Sequence, residues 1–283
     1  MAFIPIAVLT ALVVLTGLSM TCALCLTPRQ LRSVGVGDRL RDVSPYLGAA
    51  AVCFLAKRAT DGYSLRISRA LGWDVTDELH AIEGGFVPAF QEVVPGATLE
   101  FFAAMYMFGF PFLIATAPVL YFLSPTGRRL KELLVAYLLN YVVGAICYTL
   151  VIAYGPRNHL ASVEGLMYVA YPATQDLTAA MSANTDVFPS LHTSLAVVVV
   201  CFAWWSRREY PRWYPIAAVV GSGVVLSTMY LGIHWLVDVV AGVALGVGSV
   251  HAARRLVARL EDGAGGVSIP ADHGEGIPSD AGD

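Results

Sequence analysis

Seven stretches of the chain are apolar over most of their length: residues 4–26, 43–57, 99–123, 133–154, 190–206, 214–231 and 234–250. Most approach the roughly 20 residues that an α-helix needs to cross a bilayer, and the stretch at 43–57 is the short one. The loops between them are polar and carry most of the charge. The pattern predicts an all-α fold, a multispanning transmembrane bundle of about six to seven helices. The first stretch has neither a basic leader nor an Ala-x-Ala-like site, so an anchor helix is expected there in preference to a cleaved signal peptide.

Two segments depart from this pattern. Residues 59–97 mix acids, Gly and Pro with apolar residues that include Trp73, Phe86 and Phe90. They are too polar to span and are expected to lie along the membrane interface as short amphipathic helices, with a plain connecting loop as the alternative. Residues 261–283 are rich in Gly, Ala, Asp and Glu without a basic residue, which predicts a disordered acidic tail.

Composition strengthens the membrane reading. Hydrophobic residues make up 57% of the chain and charged residues 14%, against about 25% charged in a soluble domain. A net charge of −3 gives no reason to expect a nucleic-acid partner. The basic residues are distributed unevenly. Arg29, Arg32, Arg39, Arg41, Arg128, Arg129, Lys131, Arg207, Arg208, Arg212, Arg254, Arg255 and Arg259 fall in loops 27–42, 124–132 and 207–212 and in the stretch after 250. These are 13 of the 18 basic residues. Lys57, Arg58, Arg66, Arg69 and Arg157 fall on the other side. The positive-inside rule then predicts a cell-membrane protein with a cytoplasmic C-terminus. Cys22, Cys25, Cys53, Cys147 and Cys201 lie in or beside apolar stretches. Packing roles are expected for them, not a disulfide framework or a metal pair.

Two short motifs bring ionisable groups to the outer ends of apolar stretches, where such groups are costly and ask for a function. The first is Phe188-Pro189-Ser190-Leu191-His192. The second runs from Ser227 and Thr228 to His234 and Asp238. His234 and Asp238 are four apart, which on a helix puts them on one face and makes an imidazole with an orienting carboxylate. A polar pair stapling two helices together is the alternative. Pro189 suits the first turn of a helix, which places Ser190 and His192 at a helix start that favours an anion. A histidine there can protonate a leaving oxygen.

Pro-Ser-Leu-His followed by Ser-x6-His-x3-Asp resembles the second and third signatures of the type 2 phosphatidic acid phosphatase (PAP2) superfamily, over roughly residues 133–250. The resemblance implies a helical membrane bundle and phosphoryl transfer without a metal or other cofactor. His234 would be the nucleophile that becomes a phosphohistidine, Asp238 its orienting partner and His192 the proton donor and acceptor. Ser190 would hydrogen-bond a phosphate oxygen. The expected partners are a phospholipid or lipid phosphate and the bilayer, with the site on the extracytoplasmic side.

With the apolar pattern, this divides the chain into helices at 1–58, an interfacial segment at 59–98, a catalytic bundle at 99–258 and a tail at 259–283. Where the phosphatase branch carries arginine after the serine of the third signature, this chain has Thr228. Arg157, in Gly155-Pro156-Arg157, becomes the expected phosphate-binding cation, with Ser227 and Thr228 as further substrate contacts and Arg66 and Arg69 as weaker cations. Ser-Thr-Met-Tyr before the His and Asp is similar to the inositol phosphorylceramide synthase branch, which implies transfer of a phospho-head group to a lipid alcohol. A simple phosphatase, a proton-coupled transporter and an inactive lipid binder remain alternatives. His159 is expected in a solvated loop, His80, His251 and His273 away from the motifs, Glu83-Gly84-Gly85 as a turn, and Asn140 and Tyr148 as interhelical hydrogen-bonding residues.

Overall fold

The computed structural model describes residues 3–179 and 183–265, and these are helical with no strand among them. Five helices are long and apolar enough to cross a membrane. They are α1 (Phe3–Cys25), α5 (Gly96–Phe122), α6 (Arg128–Leu150), α8 (Trp213–Tyr230) and α9 (Leu236–Gly265). Between them stand α2 (Val36–Leu71), α3 (Thr76–Glu83), α4 (Phe86–Val93) and α7 (Leu191–Trp205). The bundle is that of an integral membrane protein. Helix α1 shows the reason plainly: 6% of its apolar span is buried within the protein, so its side chains need lipid around them.

Helix α7 is the shortest of the apolar helices, at 15 residues. It is nevertheless central, packed against α5, α6, α8 and α9. Its contact with α9 is close because two glycines four apart, Gly242 and Gly246, face it. A Cβ on Gly242 would lie 2.5 Å from the Ser190 carbonyl oxygen, and one on Gly246 would lie 2.6 Å from that of Ser194. Small residues at this spacing let two membrane helices approach backbone to backbone. The main core, with Leu113, Tyr121, Leu133, Phe202 and Trp213, fills the half of the bundle away from the two motifs.

Three expectations change. The short second stretch at 43–57 is the middle of α2, a continuous helix of 36 residues that also takes in all of residues 59–71. Nothing in that sequence stops the helix before Gly72, which ends it at φ +60° with its N–H on the Ser68 carbonyl. The charges spaced along α2 keep it from being apolar enough to count as a span. Helices α3 and α4 are short, as expected for the rest of the 59–97 segment. Finally, α9 runs past residue 250 and through Glu261 to Gly265, where a disordered tail was expected. Glu261 lies 3.5 Å from both Lys131 and Arg128 of α6, which favours the extra turns. Residues 266–283, including His273, lie outside the described residues.

The chain ends of the helices gather into two polar layers. In one, Arg39 donates to the carbonyls of Ser124 and Pro125, Lys131 pairs with Asp42 at 2.6 Å, Arg129 pairs with Glu209, and Arg212 donates to the Leu24 carbonyl. These are loops that the arginine count grouped on one side. The two motifs lie in the other layer.

Candidate active site

Helix α7 begins at Leu191, so Ser190 is its N-cap and Pro189 stands outside it. This corrects the expectation of Pro189 in the first turn. The Ser190 oxygen accepts from the Thr193 N–H at 3.3 Å, which leaves its hydroxyl proton free for another acceptor. The Ser190 N–H donates to the Asp238 carbonyl at 3.1 Å, and Tyr148 of α6 donates to the Pro189 carbonyl at 2.9 Å. The first motif is thus pinned to α9 and α6 by its backbone. Tyr148 makes a long-range bond, as expected, but to the turn before α7 and not to a helix. Asn140 instead donates to Ala136 of its own helix, at 3.0 Å.

His234 is not on a helix. It closes a loop that folds back over the end of α8, where the N–H groups of Ile233 and His234 both donate to the Thr228 carbonyl, at 2.9 and 3.1 Å. The turn depends on Gly232 at φ +66°, a conformation that L-residues rarely adopt. Asp238 sits in the first turn of α9 and accepts from the Trp235 N–H at 2.8 Å, the acid half of a capping box. From there its Oδ2 lies 3.5 Å from His234 Nδ1. The expected His/Asp pair is present, but built by a helix start, not by two positions on one helix. The contact is too long for a good hydrogen bond, and His234 Nδ1 and Asp238 Oδ1 are both buried without a partner. In a resting site such bonds are often loose and tighten with substrate. Burial, reinforced by the Arg157 cation, holds the His234 imidazole down at about 3, with the Val187 carbonyl acting the other way. The ring is therefore neutral and keeps a nitrogen lone pair.

The two motifs meet. The His192 and His234 ring centroids are 5.9 Å apart. His192 is flanked by Phe110 at 4.4 Å and Tyr106 at 4.8 Å, both from α5. Arg157 is tied to the same loop: its N–H donates to the Gly232 carbonyl at 3.0 Å, and the nearby Trp235 indole donates to the Tyr154 carbonyl at 2.8 Å. Gly155 is required there, since a Cβ would strike the Ile233 carbonyl oxygen. The Arg157 guanidinium lies over the Tyr168 ring and donates to its hydroxyl at 3.2 Å.

Other expected residues are placed differently. Ser227 and Thr228 are fully buried, and each gives its hydroxyl proton to its own helix, to Val224 and Val225 at 2.6 and 2.7 Å. Neither proton is left for a phosphate, so Thr228 serves the site through its carbonyl. Arg66 is exposed, with its guanidinium 5.9 Å from the Tyr63 ring, and the Arg69 side chain lies outside the described residues. His80 is not remote. Its ring is 5.7 Å from Trp235 and 5.5 Å from His159, which also lies 3.5 Å from Asp77.

Glu83 was hidden within an apparent turn. Its Oε2 accepts the N–H groups of Leu236 and Val237, the first two of α9. Burial raises its carboxyl above the ordinary range. Gln91 of α4 is a second such residue: it donates to the carbonyls of Tyr230 and Glu164, at 2.8 and 3.0 Å, and accepts from the Glu164 N–H at 3.1 Å. No local signal marks either, because each bond joins residues more than 70 positions apart.

The profile of the PAP2 superfamily matches residues 80–252, which include the second half of α3, both motifs, Arg157 and the first 17 residues of α9, 236–252. The chain belongs to the PAP2 superfamily. That membership supports a function of the lipid phosphatase or phosphotransferase type. The PAP2 match begins at His80 and so takes in Glu83 and Gln91 as well as the two motifs. The chain is similar to an uncharacterized protein of Methanocaldococcus jannaschii, at 27% identity over 159 residues, which is 56% of this chain and 62% of that protein. It thus spans less than two thirds of that relative. No solved structure matches.

Proposed function

We propose that this PAP2 protein transfers a phosphoryl or phospho-head group from a membrane lipid through a phosphohistidine at His234. The observation that carries this reading is the convergence of two histidines from separate helix starts, 5.9 Å apart, one of them in contact with a buried carboxylate. Attack needs a nitrogen about 3–3.5 Å from phosphorus. Proton transfer needs an acid about 2.6–3.2 Å from the leaving oxygen. A phosphoryl group held between the two rings meets both needs.

His234 attacks phosphorus, and the bond from phosphorus to the leaving oxygen breaks as His192 delivers its proton to that oxygen. Asp238 holds the imidazole and supports the positive charge it gains. Arg157 and the Ser190 hydroxyl bind the phosphate oxygens, and fixed donors of this kind stabilise charge as it develops. In the second half, His192 takes the proton of an acceptor hydroxyl. The acceptor oxygen bonds to phosphorus and the bond to His234 breaks.

The acceptor we favour is a lipid alcohol, as in transfer of an inositol-phosphate-like head group. Phe110 and Tyr106 beside His192 support this choice, since an apolar wall on the proton-transfer residue disfavours water. The active site faces the extracytoplasmic side of the cell membrane, on the strength of the arginine distribution.

The test is to follow phosphorus label from a phospholipid mixture, with and without lipid alcohols, using purified protein and His234→Ala. Label in a new lipid, lost in the variant, supports transfer. Label in free phosphate, lost in the variant, corrects the acceptor to water. Label that stays put, or moves equally in the variant, overturns the phosphohistidine reading.

A further inference from the structure

The polar layer opposite the two motifs contains a cavity of about 250 Å³ lined by Arg128, His251, Arg254, Arg255 and Ala258. Arg128 is already compensated, by Glu132 at 2.9 Å and Glu261 at 3.5 Å. Arg254 and Arg255 are different: among the described residues neither has a carboxylate partner. The Arg254 guanidinium lies 4.2 Å from the centroid of the Trp205 ring, which orients it, and the His251 ring packs on the same indole at 6.3 Å.

Depth gives the cavity its meaning. Arg254 is 18 residues beyond Leu236, the first residue of α9. At about 1.5 Å per residue that is about 27 Å along the helix. The hydrocarbon core is about 30 Å thick. With the start of α9 at one interface, the backbones of the two uncompensated arginines stand at the edge of the hydrocarbon core on the other side, and their long side chains reach out to the lipid phosphates there. Arg207 lies 3.7 Å from the Trp204 ring centroid nearby, in keeping with an interfacial belt of aromatic and basic residues. An arginine held on a tryptophan, with a second arginine lining the same cavity, suits a phosphate, which the pair can grip through forked, charge-assisted bonds.

We propose that this cavity binds the phosphate of an anionic phospholipid from the leaflet opposite the two histidines. The site is separate from the proposed reaction and does not depend on it. The phosphate contact could equally serve a free anion, and the location at lipid-phosphate depth is what selects the lipid.

Detergent-purified protein is titrated with dioleoylphosphatidylglycerol, with dioleoylphosphatidylcholine and inorganic phosphate as comparisons, and bound ligand is counted by native mass spectrometry. The variants are Arg254→Gln/Arg255→Gln, Arg208→Gln as a charge removal on an exposed arginine outside the cavity, and Arg157→Ala to remove binding at the histidine site. The expected result is phosphatidylglycerol binding in wild type, Arg208→Gln and Arg157→Ala. It should be weakened at least about tenfold in the double variant, since a charged hydrogen bond is worth about one decade or more. Equal binding by the double variant, or an equal loss in Arg208→Gln, overturns the site. Loss in Arg157→Ala alone assigns the lipid to the histidine site. Inorganic phosphate bound as well as phosphatidylglycerol overturns the lipid assignment. Should the double variant not fold, Arg254→Lys keeps the charge and removes the fork, and binding unchanged in it refutes the guanidinium contact.

Discussion

Replacing Gly242 by alanine adds one methyl group at the closest point between α7 and α9. That carbon would lie 2.5 Å from the Ser190 carbonyl oxygen and 3.0 Å from Thr193 Cβ, where ordinary contact begins at 3.4 Å. The obstacle is backbone on one side and a β-branched residue on the other, so neither can swing aside. The helices must part by about 0.9 Å, the difference between 2.5 and 3.4 Å. Alanine gains up to about 1 kcal/mol in helix propensity, but overpacking costs about 1–3 kcal/mol. The net effect is a modest loss of stability.

The effect on turnover is larger. Ser190 and His192 travel with α7, and Asp238 with α9. A misplacement of about 1 Å in such a constellation lowers turnover about 100-fold. The assay is lipid-phosphate transfer by the purified variant, beside its heat stability in detergent. Gly248→Ala is the internal control, because nothing lies within 4 Å of a Cβ at that position. Wild-type turnover in Gly242→Ala, or equal damage in Gly248→Ala, would refute the claim that the close approach of these helices sets the site.

Asp238→Asn keeps an acceptor for the Trp235 N–H, so the protein should fold, yet turnover should fall by about two orders of magnitude or more once the imidazolium loses its counter-charge; near-normal rates would remove Asp238 from the chemistry. Arg157→Ala should cut turnover about 10–100-fold and Arg157→Lys less, as measured by kcat/KM, since a hydrogen bond to a charged group is worth about 1.5–3 kcal/mol. Glu83→Ala leaves the first two N–H groups of α9 without their acceptor and should lower the melting temperature, with Glu83→Gln recovering part of it; a melt unchanged in both would show that the contact contributes nothing. His234 supplies a pH test of stability. Its folded value of about 3 lies below the ordinary 6.5, so between these values the unfolded chain takes up a proton that the folded chain refuses. Acidification through that window must weaken the fold by this route. The melting temperature of His234→Gln should therefore fall less steeply with acid than that of wild type, and parallel curves would contradict the burial argument.

Hydropathy alone located α1, α5, α6, α8 and α9, because lipid solvates each span individually and no long-range contact is needed to define it. It failed at α2, where charges at intervals hide a continuous helix, and at α9, whose extra turns depend on the Glu261 contacts with Arg128 and Lys131. The site was legible in part. His192, His234, Asp238 and Arg157 come together as their motifs suggested. Ser227 and Thr228 do not, because a hydroxyl near a helix end can satisfy itself on the preceding turn, and spacing does not reveal this. Glu83 and Gln91 were out of reach for another reason: their partners are N–H and carbonyl groups, which every residue carries and which leave no mark on composition.

The Gln91 contacts have one further implication. All three run to main-chain atoms, of Glu164 and Tyr230. The exposed side chain at 164 can therefore drift without breaking the join between α4 and the end of α8, whereas position 91 cannot. The burden of sequence is asymmetric: the amide at 91 must stay, Tyr230 is held by its own burial against Phe102, and only the exposed position 164 is free to diversify. Among relatives of this chain, variation at 164 would change the outer surface while the frame stayed put.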